Sequence, residues 1–148
     1  MTGNDVHASN LVRALQAIVH GDRDAVAELY TDDVKAWTPA HSVSSAAELL
    51  VEFERRDDAF SDIALEVRPL DVGGDFACAE WRITMTHTGP LAVRAGAIVE
   101  PTGRVVTING VTVAEFRAGR ICSLRQYWDE LSVFEQLGLL HDEDPAPT

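Results

Sequence analysis

The sequence predicts an α+β domain shaped as a cone, with three N-terminal helices packed in a strongly curved antiparallel sheet. Three observations predict it. Apolar residues recur at helical spacing through the first third of the chain, alternate with period two from residue 63 onward, and keep the two regimes apart along the sequence. A long sheet curled around the helices encloses a conical pocket. The 148 residues suit one domain, which we set at 1–140, with 141–148 as an acidic, loose tail.

The elements follow in order. Val6, Leu11, Leu15, Ile18 and Val19 fall near one helical face, and Gly21 ends the run. Asp22 can cap a second helix that carries Val26, Leu29 and Tyr30. Val34 to Thr38 reads as extended and stops at Pro39. Ser45 and Glu48 have capping-box spacing, and Leu49, Leu50 and Phe53 follow at core-like intervals. Ile63, Leu65 and Val67 alternate with polar residues, and Gly73-Gly74 turns into a strand from about 75 to 88. Leu91 to Glu100 is expected as a further strand, turned at Pro101-Thr102-Gly103. Val105 to Phe116 is a long strand, Ala118-Gly119-Arg120 a turn, and Ile121 to Trp128 the last strand. A short helix from Ser132 to Leu137 closes on Gly138.

Charge and composition exclude several roles. Lys+Arg total 12 against 24 Asp+Glu, a formal charge of −12, which repels a phosphate backbone and an anionic membrane surface. No apolar run approaches the ~20 residues of a spanning helix. The first residues hold neither a basic nor an apolar region, so a cytoplasmic protein is expected, with Cys78 and Cys122 as reduced thiols. The five histidines lack metal-ligand spacing, and no glycine-rich phosphate loop occurs, so neither metal nor cofactor is expected.

Strand alternation sorts the side chains. On strand 75–88, Trp81, Ile83, Met85 and His87 form the apolar, inward row, while Glu80, Arg82, Thr84 and Thr86 face outward. Thr112 on the next long strand, and Leu124, Gln126 and Trp128 on the last, join the interior. With Tyr30 and Trp37 added, the interior is a broad aromatic wall holding few polar points. Such a wall is either a Trp-rich core or a pocket for a flat, apolar cyclic molecule. The outward row is polar and strand-forming, which suits a homodimer through the outer sheet face.

The order of helices and strands resembles the nuclear transport factor 2-like superfamily, and local sequence is similar to its SnoaL-like polyketide cyclase branch. The carrying residues are Leu29-Tyr30-Thr31-Asp32-Asp33-Val34, Thr86-His87-Thr88-Gly89, Pro101-Thr102-Gly103-Arg104, Ala118-Gly119-Arg120-Ile121, Tyr127-Trp128-Asp129 and Gln136-Leu137-Gly138. The resemblance implies a cofactor-independent enzyme acting by proton transfer on an apolar cyclic, polyketide- or terpene-like ketone or epoxide. Cyclisation, isomerisation and hydration would all fit.

The resemblance also marks departures. The branch's catalytic aspartate matches Gln126, and its pocket histidine matches Thr112. An amide can orient a carbonyl but cannot relay a proton. The Arg and Asp of related epoxide hydrolases match Trp81 and Ile83. The expected catalytic set is therefore His87, Gln126, Asp129 and Thr112, with His87 or an inward-swung Asp129 moving the proton. Tyr30, Trp37, His41, Trp81, Met85 and Trp128 are the expected substrate contacts, His41 from a loop over the pocket mouth. The alternative is a binding protein or dimeric interaction module that kept the pocket and lost the carboxylate.

Overall fold

The computed structural model describes residues 3–93 and 96–140; the expected acidic tail, 141–148, lies outside the described residues. Helices α1 (Gly3–His20) and α2 (Arg23–Leu29) lead into β1 (Tyr30–Trp37) and β2 (Ser42–Val43). Then come α3 (Ala46–Ala59), β3 (Phe60–Gly73), β4 (Phe76–His87), β5 (Leu91–Ala92), β6 (Ile98–Val99), β7 (Val105–Arg117), β8 (Arg120–Trp128) and α4 (Glu130–Gln136). The helix starts are capped where the sequence predicts. Asp22 Oδ1 accepts from the Ala25 amide at 3.0 Å, and Ser45 Oγ accepts from the Glu48 amide at 3.1 Å. The Glu48 carboxylate reaches back to the Ser44 amide at 2.8 Å, one residue before the cap that a strict capping box would use.

The main sheet has the order β2-β1-β8-β7-β4-β3. Its pairs are antiparallel except β1 with β8, which run parallel, where the sequence predicts an antiparallel sheet throughout. The reason is a tie at the common starting end of the two strands. Arg120 opens β8, and its Nη2 donates to the carbonyls of Ala27 at 2.6 Å and Tyr30 at 2.5 Å. That guanidinium satisfies carbonyls left open where α2 gives way to β1, so both strands start from the same place and run the same way.

Two irregularities in β3, at Ser61–Ala64 and Pro69–Asp71, shift its register against β4, and Asp62 adopts a φ of 53° in the first. Bulges of this kind bend a strand and increase twist, which lets the sheet curl around α1. Helix α1 packs on β3 and β4. Leu11, Leu15 and Ile18 join Ala77, Ala79, Ala114 and Leu124 in one buried cluster. The segment Leu91–Glu100 departs from the expected strand. Only Leu91–Ala92 and Ile98–Val99 pair, as a separate small hairpin, because Gly96 at φ 73° turns the chain and the Val93 amide donates to the Ala97 carbonyl at 2.9 Å. Among the described residues, no helix is long and apolar enough to cross a membrane.

The exit from β4 is fastened to the end of α3. The amides of Thr88 and Gly89 both donate to the Ala59 carbonyl, at 3.0 and 2.9 Å. A Cβ on Gly89 would lie 1.8 Å from the Asp58 carbonyl oxygen, a backbone atom that cannot swing away. Gly89→Ala is therefore expected to lower unfolding stability by about 3 kcal/mol, read as a fall in urea midpoint. A wild-type midpoint would show that the corner has slack.

Candidate functional site

The inner face of the sheet is built in rungs. Trp81, Gly110 and Trp128 are partners across β4, β7 and β8, and the next rung along holds Ala79, Thr112 and Gln126. The absence of a side chain at Gly110 decides what happens between them. The Trp81 indole lies on the bare backbone so closely that a Cβ at Gly110 would sit 2.3 Å from the ring. Trp128 meets it from the other side, with ring centroids 5.9 Å apart and planes at 67°.

Lying there, the Trp81 ring brings Nε1 to Thr112 on the next rung, donating to Oγ1 at 2.8 Å. Gln126 Nε2 donates to the same oxygen at 3.3 Å. Thr112 and Trp81 are buried, while Gln126 and Trp128 are partly exposed, so the amide is the more accessible polar end of this chain of bonds. Thr112 anchors one N–H of Gln126. The second N–H and the amide oxygen are the polar groups it can offer a ligand. Trp128 Nε1 is held in turn by the Glu130 carboxylate at 2.5 Å.

A second polar group stands on the β1 side. Trp37 is paired with Arg125, so Thr38 follows at the level of Gln126, and Thr38 is buried. Its Oγ1 accepts from the amides of Ala40 at 3.1 Å and His41 at 3.0 Å, and its own amide donates to the His41 carbonyl at 2.9 Å. This tight turn holds His41 against α3, where Glu52 Oε2 lies 3.8 Å from Nδ1.

Several expected site residues serve the fold instead. Tyr30 is wholly buried, its hydroxyl donates to the Ala14 carbonyl at 3.2 Å, and burial pushes its phenol far above the ordinary range. Trp37 is 43% exposed and packs on Tyr127 on the outer face, because Val34, Ala36 and Thr38 take the inward positions of β1. Asp129 is exposed and caps α4, its Oδ1 accepting from the Ser132 amide at 3.1 Å, so it does not swing inward. Met85 is a buried core side chain on the inward row of β4.

His87 is also an anchor. It is 0% exposed, its Nδ1 accepts from the Thr102 amide at 3.1 Å and lies 3.0 Å from Thr102 Oγ1, and its ring packs on Phe60. Its backbone bonds Arg104 and Gly103 at 2.9 Å each. With Nδ1 accepting an amide, the remaining proton sits on Nε2, sealed from solvent.

Trp81, Thr112, Gln126 and Trp128 are thus brought together, while His41 stands at the β1 side. Sequence reasoning missed Thr38, Glu52 and Glu130. Glu52 had a signal: it follows the buried Leu49 by three residues on α3, so helical spacing turns it toward the same side.

A family model for the SnoaL-like domain matches residues 11–124. The fold recurs in a candidate SnoaL-like polyketide cyclase from Jannaschia sp. CCS1, at 19% identity over 95% of this chain and 98% of that one, TM-score 0.81. It recurs in TsrD from Streptomyces laurentii, at 19% identity over 95% and 100%, TM-score 0.79. An LEH-like epoxide hydrolase from M. tuberculosis shares it at 16% identity over 92% of each chain, TM-score 0.66. No curated protein sequence matches the chain.

The anchoring role of His87 has a direct consequence. His87→Ala leaves the Thr102 amide without its acceptor and a void beside Phe60, and is expected to lower stability by about 3 kcal/mol in urea unfolding. A variant as stable as wild type would return His87 to the acid–base candidates.

Proposed function

The chain belongs to the SnoaL-like domain family, and on that premise we propose that it is a cofactor-independent, cytoplasmic enzyme acting on an apolar cyclic ketone or epoxide, polyketide- or terpene-like, by proton transfer. Isomerisation, cyclisation and hydration share the step that matters here, which is the stabilisation of an oxygen as charge develops on it. The observation that carries this reading is the polar step set into the aromatic wall: Gln126, steadied on Thr112, which is itself steadied by Trp81. Trp81 and Trp128 would bracket a flat ring system, and the free N–H of Gln126 would hold its oxygen. A candidate polyketide cyclase, a candidate hydroxylase from Streptomyces galilaeus and an LEH-like epoxide hydrolase among the structural relatives support the breadth of this class rather than one reaction.

One observation favours a second reading. An amide at 126 has no proton to give, so a binding protein that retains the wall without the chemistry is the alternative. A bicyclic ketone, 2-tetralone, separates the two. The enzyme reading expects wild-type protein to quench tryptophan emission on binding it and to accelerate exchange of its C1 hydrogens in deuterated water. Thr112→Val should weaken that binding about tenfold by freeing the Gln126 side chain, the equivalent of one hydrogen bond. Quenching without accelerated exchange is the result of a binding protein.

The outer face supports a homodimer. It carries a groove of about 750 Å³ whose lining includes Glu66, Arg68, Glu80, Arg82 and Tyr127, with exposed Trp37 packed against Tyr127. Glutamates and arginines interspersed on one patch can pair with their opposites in a two-fold related copy. Light scattering is expected to return a dimer that Trp37→Asp converts to a monomer. A monomeric wild-type chain at working concentration rules this contact out.

A further inference from the structure

Gln126 can hold an oxygen but cannot move a proton, Asp129 is a helix cap, and His87 has its Nδ1 occupied as the acceptor of the Thr102 amide, which leaves it no bare nitrogen to act as a base. We propose that His41 and Glu52 form the proton-transfer pair of the site, with His41 Nε2 as the acid–base atom and Glu52 as its positioning residue. This inference rests on the proton-transfer reading above.

Four observations carry it. His41 Nε2 is buried and has no hydrogen-bond partner, as is true of His87 Nε2, but its Nδ1 faces the oxygens Thr38 Oγ1 at 3.5 Å and Glu52 Oε2 at 3.8 Å rather than an amide donor. One nitrogen is thus addressed by acceptors and the other is left free, which is the division a general base needs. The backbone that carries the ring is fixed, since Thr38 Oγ1 accepts from the His41 amide while the Thr38 amide and hydroxyl both donate to the His41 carbonyl. Both side chains are largely withdrawn from solvent, at 27% and 23% exposed, so a carboxylate in ion-pair range is less screened there than at the surface. Finally, Thr38 stands at the level of Gln126 across the parallel β1–β8 pair, which brings the turn to the edge of the polar step.

The remaining charge near the pair is Arg55, 3.6 Å from the other oxygen of Glu52. Among the described residues, Glu52 is the carboxylate in ion-pair range of His41. The step balances without a further reactant. His41 Nε2 takes a proton from the carbon beside a ketone carbonyl, and the C–H pair forms the enolate double bond. The carbonyl π pair moves onto the oxygen held by Gln126, and the imidazolium faces Glu52. Return of the same proton to another carbon completes an isomerisation; in a cyclisation the enolate carbon bonds to a second carbonyl carbon of the same molecule, whose π pair moves onto its oxygen, and that alkoxide takes the proton back from His41.

The test uses the full chain and 2-tetralone. Histidine ¹⁵N spectra should find neutral His41 protonated on Nδ1 and bare on Nε2. His41→Gln should slow C1 hydrogen exchange about 100-fold while tetralone quenching of tryptophan stays within threefold. Glu52→Gln should slow exchange about tenfold and raise the share of His41 that carries its proton on Nε2 in the same spectra, with tetralone quenching within threefold. Loss of packing alone would not redistribute that proton. Unchanged exchange in His41→Gln, an unchanged tautomer balance in Glu52→Gln, or a proton on Nε2 in the wild-type protein overturns the proposal. A wild-type protein that binds tetralone without accelerating exchange overturns the proton-transfer reading itself, a different result from an active wild type matched by an active His41→Gln. Urea midpoints of both variants distinguish lost chemistry from lost fold.

Discussion

The contact on which the interior depends is the Trp81 indole lying on the unsubstituted backbone of Gly110. Any side chain at that position would lift the ring out of the sheet surface and into the space between sheet and helices. Because the ring lies over Gly110, Nε1 comes to Thr112, and Thr112 in turn steadies Gln126. Trp128 meets the same ring at 67°, and the Glu130 carboxylate holds that second ring by its Nε1. One missing Cβ therefore sets both the aromatic wall and its polar step. The energy involved is that of one buried and one half-buried aromatic side chain with their N–H groups satisfied, a combination that stabilises as well as orients.

The second dependence is the parallel seam between β1 and β8. Antiparallel neighbours come from hairpins, but β1 and β8 are separated by most of the chain and need another reason to align. Arg120 supplies it by donating to the carbonyls at the end of α2 and the start of β1. A second tie, between Arg117 and Asp33 at 2.6 Å, spans the same end, and the guanidinium holds the Asp33 carboxyl below its ordinary range. The register slips between Tyr30 and Lys35, and β1 ends at Trp37 opposite Arg125 while β8 runs on to Trp128, so the Thr38–His41 turn follows at the level of Gln126. The outward phase of Trp37 has the same origin. Once Val34 and Ala36 face the core, Trp37 must face away, where it packs on Tyr127.

Much of this was legible in the residues. Period-two alternation on β4, β7 and β8 assigns Trp81, Thr112, Gln126 and Trp128 to one face, because side-chain direction in a paired strand is dictated by backbone geometry alone. The caps at Asp22 and Ser45 were equally legible, since their bonds close within four residues. The residues that answer to a distant partner are not legible in this way. Thr102 donates to the Nδ1 of His87, and the Tyr30 hydroxyl donates to the Ala14 carbonyl, contacts that no local pattern announces. Leu91 to Glu100 was apolar enough for a strand, but Gly96 turns the chain and leaves it a small hairpin.

By itself, then, the sequence determined the α+β class, the succession of helices and strands, and which side chains of the long strands share a face. These follow from local periodicity and short-range hydrogen bonding, which need no knowledge of what lies across the molecule. Only the tertiary structure decided the parallel seam, the orientation of each histidine and the pairing of His41 with Glu52. Those depend on contacts between segments far apart in the chain, where a hydrogen-bond partner or a missing Cβ, rather than a residue's own preference, selects the outcome.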